Sequence, residues 1–173
     1  MFNMHSRTSG KVSGSGRMFR RRGGSVLEMA LTLSILFSIC YGLIECGYYF
    51  YVKNTMEGAA REGCRAAIVT GGTLTAANSA IENQLQAAGL VPNATTASGS
   101  GLCTIGNYTV TYTDATTGGA ITSSNLSSMV VGDTLSTSIT ATWGTVGAGF
   151  RPAAIIGSAK VLTCASDMRK EGD

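Results

Sequence analysis

Between Met29 and Ile44 the chain runs for 16 residues without a charge, and Leu31, Leu33, Ile35, Leu36, Phe37, Ile39 and Leu43 all fall in that stretch. As a helix it covers about 24 Å at 1.5 Å per residue, slightly short of the roughly 30 Å hydrocarbon core of a bilayer. Extending the helix to Val52 takes in Glu45 and adds Tyr48, Tyr49, Phe50 and Tyr51. Rings of that kind settle at a membrane–water interface, with the apolar body in and the polar tip wet. Upstream lie Arg7, Lys11, Arg17, Arg20, Arg21 and Arg22, with no acid among them. This excess of positive charge predicts one span with a cytoplasmic N-terminus and an exported C-terminal part.

Two other uses of an apolar N-terminal stretch fit poorly. A cleaved secretion signal has a run of roughly 7–15 apolar residues and ends at small residues, whereas this one continues into bulky aromatics. A lipid-modified cysteine needs a small residue just before it, but Ile39 precedes Cys40 and Glu45 precedes Cys46.

Residues 1–23 are polar, basic and without hydrophobic period, so they read as an unstructured arm. Residues 24–69 read as one long helix. A continuous helix from Ser25 to Ala67 would be about 65 Å long, more than one bilayer requires. Within it Ala59, Gly63 and Ala67 recur every four residues, a stripe that lets another helix approach closely. The partner is either another subunit's helix or the chain's own distal domain, and the sequence leaves both open. Glu57 with Arg61 and Glu62 with Arg65 are spaced for ion pairs on the exposed side.

Gly71-Gly72 ends that helix, and residues 70–173 form the exported head. Thr73 caps a second helix through Ala88, with Leu74, Ala77, Ile81, Leu85 and Ala88 on one face. Residues 93–106 read as loop. Alternation then predicts strands over 108–113, 134–143 and 158–165. The fold class is α+β: a long transmembrane helix, then a small β-sheet head with one additional helix. Tyr108, Tyr112, Trp143 and Phe150 are its aromatic anchors.

The residues available for chemistry are few. His5, the single histidine, lies in the basic arm, so a chain without that arm has no Ser-His-Asp, Cys-His or His-metal chemistry. Neither a metal site nor a cofactor is expected, and no glycine cluster makes a phosphate-binding loop. Beyond the arm, seven basic residues face ten acidic ones, a balance that argues against nucleic-acid binding. Cys103 and Cys164 would face an oxidising compartment, which makes a disulfide between them the leading candidate, with Cys64 as a competitor. Such a bridge would contribute about 4 kcal/mol. Cys40 and Cys46 read as small apolar residues in the span. Asn93-Ala94-Thr95, Asn107-Tyr108-Thr109 and Asn125-Leu126-Ser127 match the glycosylation sequon, a short pattern that carries little weight by itself.

The most informative pattern is Arg20-Arg21-Arg22-Gly23-Gly24-Ser25-Val26-Leu27-Glu28. A carboxylate just inside an apolar helix is costly, roughly 2.5–3.5 kcal/mol for an acid at a span's centre, and needs a partner or a use. The pattern resembles the prepilin peptidase site of type IV-like pilins, in which cleavage follows a glycine and a glutamate stands fifth beyond it. The cut would fall between Gly23 and Gly24, with Arg22 before it and Glu28 after. Together with Gly42-Leu43-Ile44-Glu45-Cys46-Gly47-Tyr48-Tyr49 and Gly58-Ala59-Ala60-Arg61-Glu62-Gly63, the segment is similar to the TadE-like family, minor pseudopilins of the tight-adherence (Tad, or Flp) pilus. Phe150-Arg151-Pro152 and the closing Met168-Arg169-Lys170-Glu171 match more loosely.

That resemblance implies a non-enzymatic pilus-assembly protein in the bacterial inner membrane, processed by the prepilin peptidase, with its head in the periplasm or the pilus. It implies other Tad pseudopilins, the major pilin, the inner-membrane assembly platform and the bilayer as partners. Glu28 would pair with a neighbouring subunit's new amino terminus. Glu45 either pairs with another subunit or reaches interfacial water. The competing expectation is an uncleaved single-span anchor that displays a binding head, an adhesin.

Overall fold

A computed structural model describes residues 19–92, 99–147, 149 and 151–170, without the side chains of residues 19–23. The arm with Arg7, Lys11, Arg17 and His5, the Asn93 sequon, Phe150 and Glu171 lie outside the described residues.

Helix α1 runs from Phe19 to Ile68. It begins inside the segment expected to be unstructured, and no proline interrupts it before Gly71, whose φ of 76° stops it. The chain divides into two compact units, Met1–Cys40 and Tyr41–Asp173. In the first, the described side chains from Gly24 to Cys40 are exposed all round the helix. Gly24–Ile68 is long and apolar enough to cross a membrane.

The second unit holds the rest of α1 together with the elements that follow it. Its buried α1 positions are Glu45, Val52, Met56, Ala59, Ala60, Cys64 and Ala67, together with Gly63. These steps of three, four and seven residues keep one face inward. Helix α2 (Leu74–Ala87) starts where its cap predicts, with Thr73 Oγ1 accepting from the Ala76 N–H at 3.2 Å. Leu74, Ala77, Ile81 and Leu85 are buried, and Gly89 ends the helix at φ 70°.

Four strands follow: β1 (Leu102–Ile105), β2 (Tyr108–Asp114), β3 (Thr134–Thr142) and β4 (Val161–Arg169). They form one antiparallel meander in the order β1-β2-β3-β4. Two short helices, α3 (Ser123–Ser128) and α4 (Trp143–Val146), lie in the β2–β3 and β3–β4 connections. The fold is therefore α+β as expected, with one more strand and two more short helices. Strand β1 lies in the expected loop. Ile105 pairs with Tyr108, so Gly106-Asn107 is a two-residue hairpin turn with Gly106 at φ 59°.

Period-two alternation sorts the sheet's faces. Cys103, Ile105, Tyr108, Val110, Tyr112, Leu135, Thr137, Ile139, Ala141, Leu162 and Cys164 turn inward; the opposite face is mostly threonine and serine. Helix α1 meets the inner face through Cys64 Sγ, which donates to Leu135 O, and through Lys53 O, which accepts from Cys164 Sγ. From α2, Asn78 Oδ1 accepts from the buried Tyr112 hydroxyl at 2.8 Å. Trp143 leaves the expected strand to begin α4 and is fully buried. Its ring packs edge-on against Tyr49, with centroids 5.2 Å apart.

Gly63 faces α2 so closely that an added Cβ would lie 2.5 Å from the Ile81 side chain. Gly63→Leu should therefore lower the head's stability by about 1–3 kcal/mol, measured by denaturant unfolding followed at Trp143. Adding Ile81→Ala should recover part of the loss.

Candidate functional site

An apolar helix gives a carboxylate no partner of its own, so Glu45 must be matched from elsewhere in the chain. It has no exposed surface. Its Oε2 accepts from the Ile155 N–H at 3.1 Å and its Oε1 from the Ile156 N–H at 3.0 Å. Arg151 supplies the neighbouring positive charge, and its Nη2 donates to Ile156 O at 3.0 Å. Between these groups Ala154 takes a left-handed φ of 49°. Successive N–H groups converging beside a left-handed residue form a concavity for an anion, and here Glu45 fills it. Left-handed alanine is strained, and the bonds to Glu45 offset that strain.

This arrangement corrects the expectation that Glu45 reaches interfacial water: it has no exposed surface, and both oxygens accept from its own chain. The same holds for the small stripe. Ala59, Gly63 and Ala67 are buried in the head, with Gly63 against α2, so the stripe packs on its own distal domain.

The expected disulfide is also overturned. Cys103 pairs in register with Val110, Val110 with Ile139, and Ile139 with Cys164. The two cysteines thus lie on opposite edges of the sheet, about 14 Å apart at 4.8 Å per strand. A disulfide needs Cα atoms within about 7 Å. All five cysteines are free thiols, and Cys64 is engaged with Leu135. Burial pushes the Cys164 thiol up, with the Lys53 charge partly opposing it, so it stays protonated and unreactive.

The expected processing residues lie at the start of α1. Arg22 and Gly23 are helical in backbone, and Gly24 and Glu28 are exposed. No heavy atom comes within 4 Å of a Cβ built on Gly24. The exposed ion pairs Glu57–Arg61 and Glu62–Arg65 form as their spacing predicts.

A second polar feature is a cleft of about 230 Å³, whose lining includes Asp114, Thr117, Asn125, Ser128 and Asp133. Among the described residues no three metal-binding side chains come together. Asp114 is satisfied locally: Oδ2 accepts from the Thr117 hydroxyl at 2.6 Å and Oδ1 from the Thr116 N–H at 2.8 Å. These bonds, the Thr117 hydroxyl first, hold its carboxyl below the usual range. The Asp114 side of the cleft is thus a capped turn.

A helix long and apolar enough to cross a membrane, continuing into a small α+β head, is the arrangement expected of a membrane-anchored protein. The TadE-like protein family model matches residues 23–65, and that stretch is consistent with a Tad pilus protein. The match opens on Gly23 and takes in Glu28, Glu45 and Gly63, and it stops before the looser likeness near the C-terminus. No curated protein and no solved structure matches the chain.

The sequence gives no sign of the Glu45 cradle beyond the cost of the carboxylate itself, because its donors are backbone groups 110 and 111 residues away. Strand β1 did have a signal, the Gly-Asn pair between two β-prone stretches.

Two outcomes follow. Glu45→Ala should speed amide exchange at Ile155 and Ile156 roughly tenfold or more, since both donors lose their partner; Glu45→Gln, which keeps one acceptor oxygen, should do less. Hydrogen exchange read by mass spectrometry checks both. Asp114, with its folded pKa lowered, stabilises the head fully above its unfolded pKa near 3.9. That share fades as pH falls through the lower folded value. Asp114→Asn should flatten the acid limb of a pH-dependent unfolding curve.

Proposed function

We propose that this chain is a minor pseudopilin that takes part in assembling a Tad-type adhesion pilus after a prepilin peptidase removes residues 1–23. The observation that carries the proposal is the TadE-like match, which opens on Gly23, the residue that would precede the cut. Hydrolysis of the Gly23–Gly24 peptide bond leaves a free α-ammonium on Gly24. Glu28 then stands within the first turns of the new helix. In a stack of subunits, the Glu28 carboxylate of one neutralises the Gly24 ammonium of the next. In hydrocarbon, leaving either charge unpaired is costly, and that cost selects the register.

The arginines before Gly23 hold the N-terminus in the cytoplasm, which puts the head in the periplasm and the span in the bacterial inner membrane. The partners are the prepilin peptidase, other Tad pseudopilins, the major pilin and the assembly platform. The role is structural: the TadE-like pilus proteins are not enzymes, and the carboxylates Glu45 and Asp114 are occupied with the chain's own donors.

N-terminal sequencing by mass spectrometry, from membranes with and without the peptidase, tests this. The expected mature terminus is Gly24, present only with the peptidase; a chain that starts at Met1 in both strains is an uncleaved anchor, and the proposal fails. Gly23→Arg should leave full-length chain and few or no pili. Glu28→Ala should still be cut, with pilus number on the cell surface strongly reduced.

A further inference from the structure

The α4–β4 connection carries no charge from Pro152 to Ala159. Loops usually stay out of hydrocarbon because their backbone polar groups need water. Here the N–H groups of Ile155 and Ile156 are bound to Glu45, and Ile156 O accepts from Arg151. What the loop shows outward is apolar: Ile155 is 62% exposed, and Pro152 and Ala154 are exposed as well.

The position of this loop on α1 matters. A Cβ on Gly42 would come within 2.9 Å of Ile155 Cδ1, so Ile155 lies beside Gly42, two residues before the charge-free run ends at Ile44. As a helix, Gly24 to Ile44 covers about 31 Å, the thickness of a hydrocarbon core. Position 42 is then just inside the edge of that core. Tyr41, Leu43 and Ile44 are exposed there too, so Ile155 extends an apolar surface that already belongs to the helix. Lys160, exposed at the far end of the connection, suits the headgroup level.

We infer that the Pro152–Gly157 loop is a second membrane contact, which inserts Ile155 into the leaflet on the head's side and covers Glu45 from lipid. The inference rests on reading α1 as a span. The occupant is lipid because the exposed patch is continuous with the apolar surface of the helix at the depth where the hydrocarbon ends. A buried carboxylate at that depth needs donors that also cover it, and this loop brings the Ile155 and Ile156 N–H groups to Glu45 while turning Ile155 outward.

The test uses the full chain with Cys40→Ser and Cys46→Ser, which leaves only the three buried thiols. Ile155→Cys, Leu36→Cys and Val161→Cys are made one at a time in that background and labelled with an environment-sensitive fluorophore. Each is reconstituted in phosphatidylethanolamine–phosphatidylglycerol vesicles, with unchanged Trp143 emission as the check on folding. The label at position 155 should emit blue-shifted and lose its emission several-fold to a nitroxide placed near the top of the acyl chains. The label at position 36 should be quenched by a deep nitroxide, and that at position 161 should report water. Water-like emission at 155 with position 36 still in lipid overturns the loop contact alone. Blue-shifted emission at 155 that no lipid nitroxide quenches shows a protein occupant, such as a second copy, and also overturns it. Water-like emission at 36 overturns the span and the loop contact together.

Discussion

A carboxylate on an apolar helix must be neutralised, and the bond set around Glu45 is how this chain does it. Both oxygens take backbone N–H groups from a connection more than a hundred residues later, and Arg151 braces that connection from the other side. The bonds tie the β3–β4 crossing to α1 at the level where α1 enters the head. They also explain the left-handed Ala154, whose strain is sustained only because its neighbours' N–H groups have an anion to bind.

The rest of the head is built outward from the same helix. One stripe of α1 is small enough at Gly63 for α2 to approach within side-chain contact. Above it, Tyr48 and Tyr49 pack on Trp143, where β3 turns into α4. Sheet, second helix and crossing loop thus share one support, and α1's second half is as much core as any strand. Trp143, Tyr108, Tyr112 and Met56 are each fully enclosed, beside Leu74, Ile81, Leu85, Ile105, Leu135 and Ile139.

The two halves of α1 therefore do different physical work within one TadE-like segment. From Gly24 to Cys40 its side chains are exposed. After Tyr41 one face is committed to the head. Exposed apolar side chains thus run all round the first half, while the close-packing stripe of the second is already occupied. The Glu57–Arg61 and Glu62–Arg65 pairs lie on the exposed side of that second half.

Sequence alone determined the features set by local pattern. The charge-free run from Met29 to Ile44 demanded a long apolar helix. Thr73 and Gly89 bounded α2, and alternation placed β2 and β3 within a residue of their observed ends. The glycine–glutamate spacing at Gly23 and Glu28 marked the TadE-like segment. Tertiary structure decided whatever depended on partners distant in sequence. Glu45 could have faced water, lipid or another subunit, and only the returning loop shows that it is consumed at home. Ala59, Gly63 and Ala67 permit a close helix without naming it, because small residues specify a distance and no identity. Cys103 and Cys164 looked like a pair until strand order put two strands between them. Composition cannot report sheet order, since hydrogen-bonding neighbours are fixed by how the whole chain folds back on itself.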